Sequence, residues 1–260
     1  MLNLDRSEKR MNEFNAAFSA TNLTVERISA IDGNFIDTNL FSNDSMCRKE
    51  MGRSIQKGEV GCFLSHKKAL KKFLSTEAKY AVVFEDDAIP NNEFKNTIEE
   101  IVEKFLKNNH FTAAINLGAV DFKYSSRCLT IKNNMLRCAH RFPMLATGVL
   151  WTRPGAKIFL ESASIVTMPY DNFLRFLFSG TNQVFSIQPP IIYSSGIESD
   201  IEARNHSKQR STQNRSKFYF FVKQRRIFRD KFRAIRASIK WIFTKKLSAQ
   251  IQIEDNASRM

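Results

Sequence analysis

The sequence predicts an α/β fold: a mainly parallel sheet covered by helices on both faces, followed by a basic helical tail. Three observations predict it. Short runs rich in Val, Ile and Phe alternate with longer amphipathic ones; one short run, Tyr80 to Phe84, ends in the three acids Glu85, Asp86 and Asp87; and the charge is unevenly spread. Residues 1–202 hold 24 Lys and Arg against 23 Asp and Glu, whereas residues 203–260 hold 16 against 3. A near-neutral body with a basic appendage sets a boundary near Glu202, with the polar residues 203–216 as a linker and 217–260 as a tail.

A chain of 260 residues, 43% hydrophobic, can bury the core of one large domain. No stretch approaches 18 uninterrupted apolar residues, and Met1 to Arg6 lacks the charged and apolar blocks of a signal peptide, so the expected location is cytoplasmic. Cys47, Cys62, Cys128 and Cys138 form no CxxC pair and show no His at metal-ligand spacing, which suggests neither a disulfide framework nor a zinc site.

Along the body, Leu2-Asn3-Leu4-Asp5-Arg6 reads as a strand end entering a turn. Ser7 is placed to cap a helix carrying Met11, Phe14 and Phe18 on one face. Leu23-Thr24-Val25 reads as a strand, and Arg27 to Gly33 as a run into a turn where Gly33 can take φ > 0. Residues 34–57 are polar and irregular, the pattern of a loop. Gly58 to Leu74 has helical periodicity, with Lys67, Lys68, Lys71 and Lys72 outward and His66 on or beside the apolar stripe. The run 80–84 is a buried strand.

Further on, a helix is expected over about 93–107, a strand over 111–118, a hairpin around Asn133-Asn134, and a strand over 145–151. Pro154 opens a helix, Asp171 stands where an N-cap would stand before another, and short strands around 184–187 and 191–195 close the body.

The acid triplet carries the clearest chemistry. Adjacent buried carboxylates repel one another and cost several kcal/mol to desolvate, so a cluster at the carboxyl end of a buried strand invites a cation. Ligands of open α/β sheets also bind at that edge. A solvated loop or a helix cap is the other reading of the same residues.

Five stretches, in order, resemble glycosyltransferase family 25, whose members include bacterial lipooligosaccharide sugar transferases and relatives of the collagen galactosyltransferases. They are Asn3-Leu4-Asp5-Arg6 with Arg10, Arg27 to Gly33, Gly58 to His66, Val82 to Asp87, and Pro169-Tyr170-Asp171. The resemblance spans roughly residues 2–200. It implies a GT-A-like, Rossmann-related domain that uses a nucleotide sugar, usually a UDP-hexose such as UDP-galactose, with inversion at the anomeric carbon. It further implies that Asn3, Arg6, Asp32, Gly33, Ser65, His66 and Glu85 border the nucleotide-sugar pocket. Asp86 and Asp87 would hold Mn²⁺ or Mg²⁺, and Asp171 would be the base, or else a further metal ligand. The sequence departs from the family in having only Met1 and Leu2 before Asn3, and in the run Ala146 to Trp151. An inactive transferase fold, acting as a membrane-associated or nucleic-acid-binding protein, is therefore the alternative.

In the tail, Phe228, Phe232, Ile235, Ile239 and Ile242 recur at steps of four and three, while Arg225, Arg226, Arg229, Arg233, Arg236 and Lys240 occupy other positions. This predicts a helix lying on an anionic membrane surface, which suits a lipid-linked oligosaccharide acceptor at the inner face of the cytoplasmic membrane. A helix packed on the body with a solvated charged face is the competing reading. No recognised motif accompanies the charge to favour nucleic acid.

Overall fold

The computed structural model describes residues 1–120, 123–195 and 215–257, with side chains described as far as Thr244. In chain order its elements are β1 (Leu2–Asn3), α1 (Glu8–Phe18), β2 (Ile28–Ser29), α2 (Asp44–Met51), α3 (Lys57–Leu74), β3 (Tyr80–Phe84), β4 (Ala88–Pro90), α4 (Phe94–Lys104) and β5 (Ala114–Asn116). There follow β6 (Ser125–Ile131), β7 (Asn134–Ala139), β8 (Gly148–Thr152), α5 (Arg153–Ser162), α6 (Tyr170–Phe178), β9 (Val184–Gln188), β10 (Ile192–Ser194) and a C-terminal helix, α7 (Tyr219–Ala257).

The main sheet has six strands in the order β3-β8-β5-β9-β7-β6. It is mixed rather than mainly parallel: only β5 and β9 pair parallel, and β8 runs antiparallel to both of its neighbours. Alternation of strands and helices suggested parallel crossovers, but β8 inserts between β3 and β5 and the hairpin β6–β7 extends the far edge, and neither leaves a periodicity of its own. Parallel pairing persists beside β3, where β1 pairs with β2 and Leu2 bridges to Glu85.

Helices do cover both faces, because side chains alternate across each strand. Val83, Ala114, Val149, Trp151 and Val184 face one buried cluster with Phe63 of α3, Phe159 of α5 and Phe173 of α6. Phe84, Ile115, Leu150 and Phe185 face the other, with Phe14 and Phe18 of α1 and Phe94 and Ile101 of α4.

Several local expectations are corrected. Leu23 to Val25 is not a strand; the two residues of β1 pair instead with Ile28 and Ser29. Residues 34–57 are not one loop, since α2 forms there, its first turn capped by the Asn43 side chain accepting from Met46 N at 3.0 Å and its end closed by Gly52 at φ 73°. Asp171 is not a cap; Pro169 stands at that position and Asp171 lies inside the first turn of α6. The hairpin at Asn133, the helix opened by Pro154 and the tail helix are as expected. The expected linker falls largely outside the described residues, although Arg215 bridges to Arg53 and Ser216 N donates to Gly52 O at 2.8 Å.

Gly33 does not have a positive φ; it is needed for closeness. A Cβ there would stand 1.7 Å from Lys57 O, and one on Gly61 would stand 2.4 Å from Ile31 O. The turn after β2 is thus laid directly on the first turns of α3. Gly61→Ala is expected to lower stability in urea unfolding by about 1–3 kcal/mol, because backbone rather than a movable side chain blocks the methyl. Gly118→Ala, whose Cβ would meet nothing nearer than 3.4 Å, should lie within about 1 kcal/mol of the parent.

Candidate active site

The carboxyl ends of β1 and β3, the middle of α3 and the first turn of α6 meet at one place. The pleat and the turn that follows β3 send the three acids to different surroundings. Asp86 turns toward α1: its carboxylate pairs with Arg10 at 2.8 Å and accepts from the buried Asn3 Nδ2 at 2.8 Å. Asn3 Oδ1 in turn accepts from Arg27 Nε at 3.1 Å. Asp87 turns toward β10, where Oδ2 accepts from Ser194 Oγ at 2.6 Å and its carbonyl from Ser195 N at 2.9 Å. Asp87 Oδ1 is buried with no hydrogen-bond partner. A cleft of about 220 Å³ lined by Glu13, Phe14, Asp86, Asp87 and Ser195 opens there. A larger one, about 380 Å³, opens beside Leu23, Lys72, Val82 and Phe94 and contains no residue of the triplet.

Glu85 faces α3 and α6. Its Oε1 lies 3.4 Å from His66 Nε2. Burial lowers the His66 pKa to about 3, so the ring is neutral near pH 7 and this contact is a hydrogen bond rather than an ion pair. Burial, then the nearby Asp87 and Asp86, raise Glu85 to about 7, even though 34% of its side chain remains exposed. Asp171 is raised to about 6, first by burial and then by Glu85, while its Oδ2 accepts from Leu145 N at 3.4 Å. His66 stacks on Tyr170 with centroids 3.6 Å apart and planes 12° apart, which ties α3 to the start of α6. The arrangement therefore holds two carboxyl groups that exchange protons near neutrality beside an uncharged imidazole, a set suited to accepting a proton from a hydroxyl.

The expected nucleotide-pocket residues divide. Arg6 is ion-paired with Asp32 at the mouth of the turn that Gly33 closes. Ser65 is buried and occupied: its Oγ accepts from Ile31 N at 2.8 Å and donates to Gly61 O at 2.7 Å, fastening that turn to α3. Asn3 is committed to Asp86 and Arg27, and His66 and Glu85 sit together with Asp171.

Two features escaped the sequence reading. Cys62 stands one helical turn before His66, and with Glu85 these residues bring one donor atom each within 4.8 Å of one another; contrary to expectation a His does stand near a Cys, the i, i+4 step being the available signal. Burial holds the Cys62 thiol well above its ordinary pKa, which disfavours the thiolate a soft metal would need. All four cysteines are free, as expected. The second feature is Leu145, at φ 83°, a left-handed conformation unusual for a bulky residue. Asn116 Nδ2 donates to its carbonyl at 2.8 Å while its N–H points to Asp171, so this loop is held against the candidate base.

For a hard divalent ion, the oxygen of Asp87 without a partner fits the chemistry required, whereas Glu85 is turned toward His66. Asp86 fits it less well, being already neutralised by Arg10.

A family model described as glycosyltransferase family 25 (LPS biosynthesis protein) matches residues 1–174. The chain thus belongs to a class of sugar transferases. More particularly, the chain belongs to glycosyltransferase family 25. It is similar to procollagen galactosyltransferase 2 of Mus musculus, 23% identical over 222 residues, covering 74% of this chain and 34% of the relative. A glycosyltransferase 25 family member of Aedes aegypti is 24% identical over 193 residues, 69% of this chain and 30% of its own length. A probable inactive glycosyltransferase 25 family member 3 of Bos taurus is 42% identical over 53 residues, 20% of this chain and 9% of the relative. The chain spans about a third or less of the length of these relatives.

Both site carboxyls hold protons to higher pH when folded than when unfolded. The folded state consequently binds more protons between about pH 4 and 7, and their contribution to stability falls as pH rises through that window. In metal-free buffer, Glu85→Gln should show a smaller drop in Tm between pH 5 and pH 8 than the parent, with the higher Tm of the two at pH 8. Parallel curves for the two proteins would contradict the raised carboxyl.

Proposed function

We propose that the protein transfers a hexose, galactose in the first instance, from a UDP-sugar to a lipooligosaccharide-type acceptor with inversion of the anomeric carbon. The observation that carries this reading is that Asp171, in the first turn of α6, and Glu85, at the carboxyl end of β3 and 3.4 Å from the His66 ring that stacks on Tyr170, are both raised toward neutrality by burial.

In this reading Asp171 takes the proton of the acceptor hydroxyl as its oxygen forms a bond to the anomeric carbon. The bond from that carbon to the diphosphate breaks, and UDP leaves with the electron pair. A divalent cation, Mn²⁺ or Mg²⁺, when bound would offset the charge gathering on the departing diphosphate, and Asp87 would hold it through the oxygen that has no hydrogen-bond partner. Asp86 is assigned a positioning part, orienting Asn3 and Arg10 at the nucleotide crevice. Arg6, Asp32 and Gly33 form the wall of that crevice, and Ser65 keeps the wall in place. His66, uncharged, fixes Glu85 without adding positive charge to the pocket. The lipid-linked acceptor sets the reaction at the inner face of the cytoplasmic membrane.

A second reading, a transferase fold without activity, draws on Arg10, whose guanidinium already serves one of the three acids. Calorimetry with UDP-galactose in the presence of Mn²⁺ separates the two: binding supports the enzyme, and its absence supports the inactive fold. In assays of UDP release, Asp171→Asn is expected to lower kcat by about 10²–10⁴-fold. Asp87→Asn should remove the dependence on Mn²⁺ together with most of the rate; release that persists unchanged in EDTA would overturn the role given to the metal.

A further inference from the structure

As far as Thr244, helix α7 presents two faces, and the body packs on one of them. Asp230, Ala234 and Ala237 are buried, and the Trp241 ring packs near His140 and Phe185 with centroids 6.1 and 6.3 Å away. These positions recur at steps of four, three and four and form one docking stripe. Polar contacts hold it down. Arg229 pairs with Glu50 of α2 at 2.7 Å, Arg233 donates to Phe176 O at 2.7 Å, and Asn182 donates to Ala237 O at 3.1 Å.

The stripe of Phe228, Phe232, Ile235, Ile239 and Ile242 lies on the opposite side, and each of the five is between 46% and 72% exposed. An apolar row of this length left in water is costly at roughly 25 cal/mol per Å², and single exposed residues would need no explanation where a continuous row does. Lys231, Arg236 and Lys240 are exposed beside it, with the Arg236 guanidinium 5.8 Å from the centre of the Phe232 ring. Between Phe221 and Thr244 the single acid, Asp230, is turned into the body, so no exposed residue of this segment is negative.

We infer that this outer face of α7 docks on an anionic lipid surface, with the aromatic and Ile side chains entering the headgroup boundary and Lys231, Arg236 and Lys240 meeting lipid phosphates while the inner face stays on the body. Charge complementarity selects this occupant. In a symmetric pairing of two copies the same cations would face each other across the contact, and a polynucleotide would satisfy the cations but leave the aliphatic row wet. No helix among the described residues is long and apolar enough to cross a membrane, so the contact is with the surface. The inference is independent of the sugar-transfer reading, since vesicle binding and UDP-sugar binding are measured separately.

The test is sedimentation of the full chain with vesicles of phosphatidylglycerol and phosphatidylcholine, or of phosphatidylcholine alone. Partitioning onto the anionic vesicles should exceed that onto the neutral ones by at least about tenfold and should weaken when salt is raised to about 0.5 M. The triple variants Phe228→Ser, Phe232→Ser, Ile239→Ser and Lys231→Glu, Arg236→Glu, Lys240→Glu should each lose most of this binding. Every substituted side chain is exposed, so the thermal melts should match the parent. Equal binding to both vesicle types, or undiminished binding by the apolar variant, would overturn the proposal. So would a wild-type dimer in sedimentation velocity that the apolar variant dissociates while neither protein binds vesicles, or polynucleotide binding lost only in the charge variant while vesicles are ignored.

Discussion

Three carboxylates in succession cannot share one poorly solvated space, and the chain around Glu85, Asp86 and Asp87 is arranged so that they do not. Each is sent to a different neighbour: Glu85 to a neutral imidazole, Asp86 to a guanidinium and a buried amide, Asp87 to a hydroxyl on β10. The separation leaves each with a distinct electrostatic character. Asp86 is compensated, Glu85 is protonated up to about pH 7, and Asp87 keeps one buried oxygen without a hydrogen-bond partner. The rest of the site is built around that division. α1 supplies Arg10, α3 supplies His66, and the first turn of α6 brings Asp171 near enough to Glu85 for their charges to be felt.

Periodicity made the helices and most strands legible, since amphipathic spacing is a property of the segment itself. Sheet order was not legible, because the antiparallel insertion of β8 depends on partners distant in sequence. α2 was passed over because its residues are polar, although Asn43 and Gly52 marked its ends. At the site, the acid triplet, His66 and Asp171 could be read because motif order placed them together. The compensation of Asp86 by Arg10 could not, for it needs the angle at which α1 leaves β1. Nor could the two roles of glycine be distinguished: Gly33 looked like a turn residue of positive φ, whereas what it supplies is the absence of a side chain where Lys57 O passes.

The tail shows how a sequence pattern can find a helix and still leave its seating open. Two stripes of similar spacing run along α7, one of Phe and Ile, the other of Asp230, Ala234, Ala237 and Trp241. Hydrophobicity alone favours burying the first. The body takes the second, whose alanines allow close approach and whose acid meets a cluster of arginines, Arg229 at 3.6 Å among them.

The stacked rings of His66 and Tyr170 set how α3 and α6 stand relative to each other, and with them Glu85 and Asp171. That spacing is fixed by contact between two flat, uncharged surfaces, with Phe63 and Phe159 against the Tyr170 ring. Ionic strength does not screen such a contact, whereas temperature and pressure act on it directly. The distance over which the two carboxyl groups influence each other is thus a mechanical property of the core, insulated from the salt around the molecule.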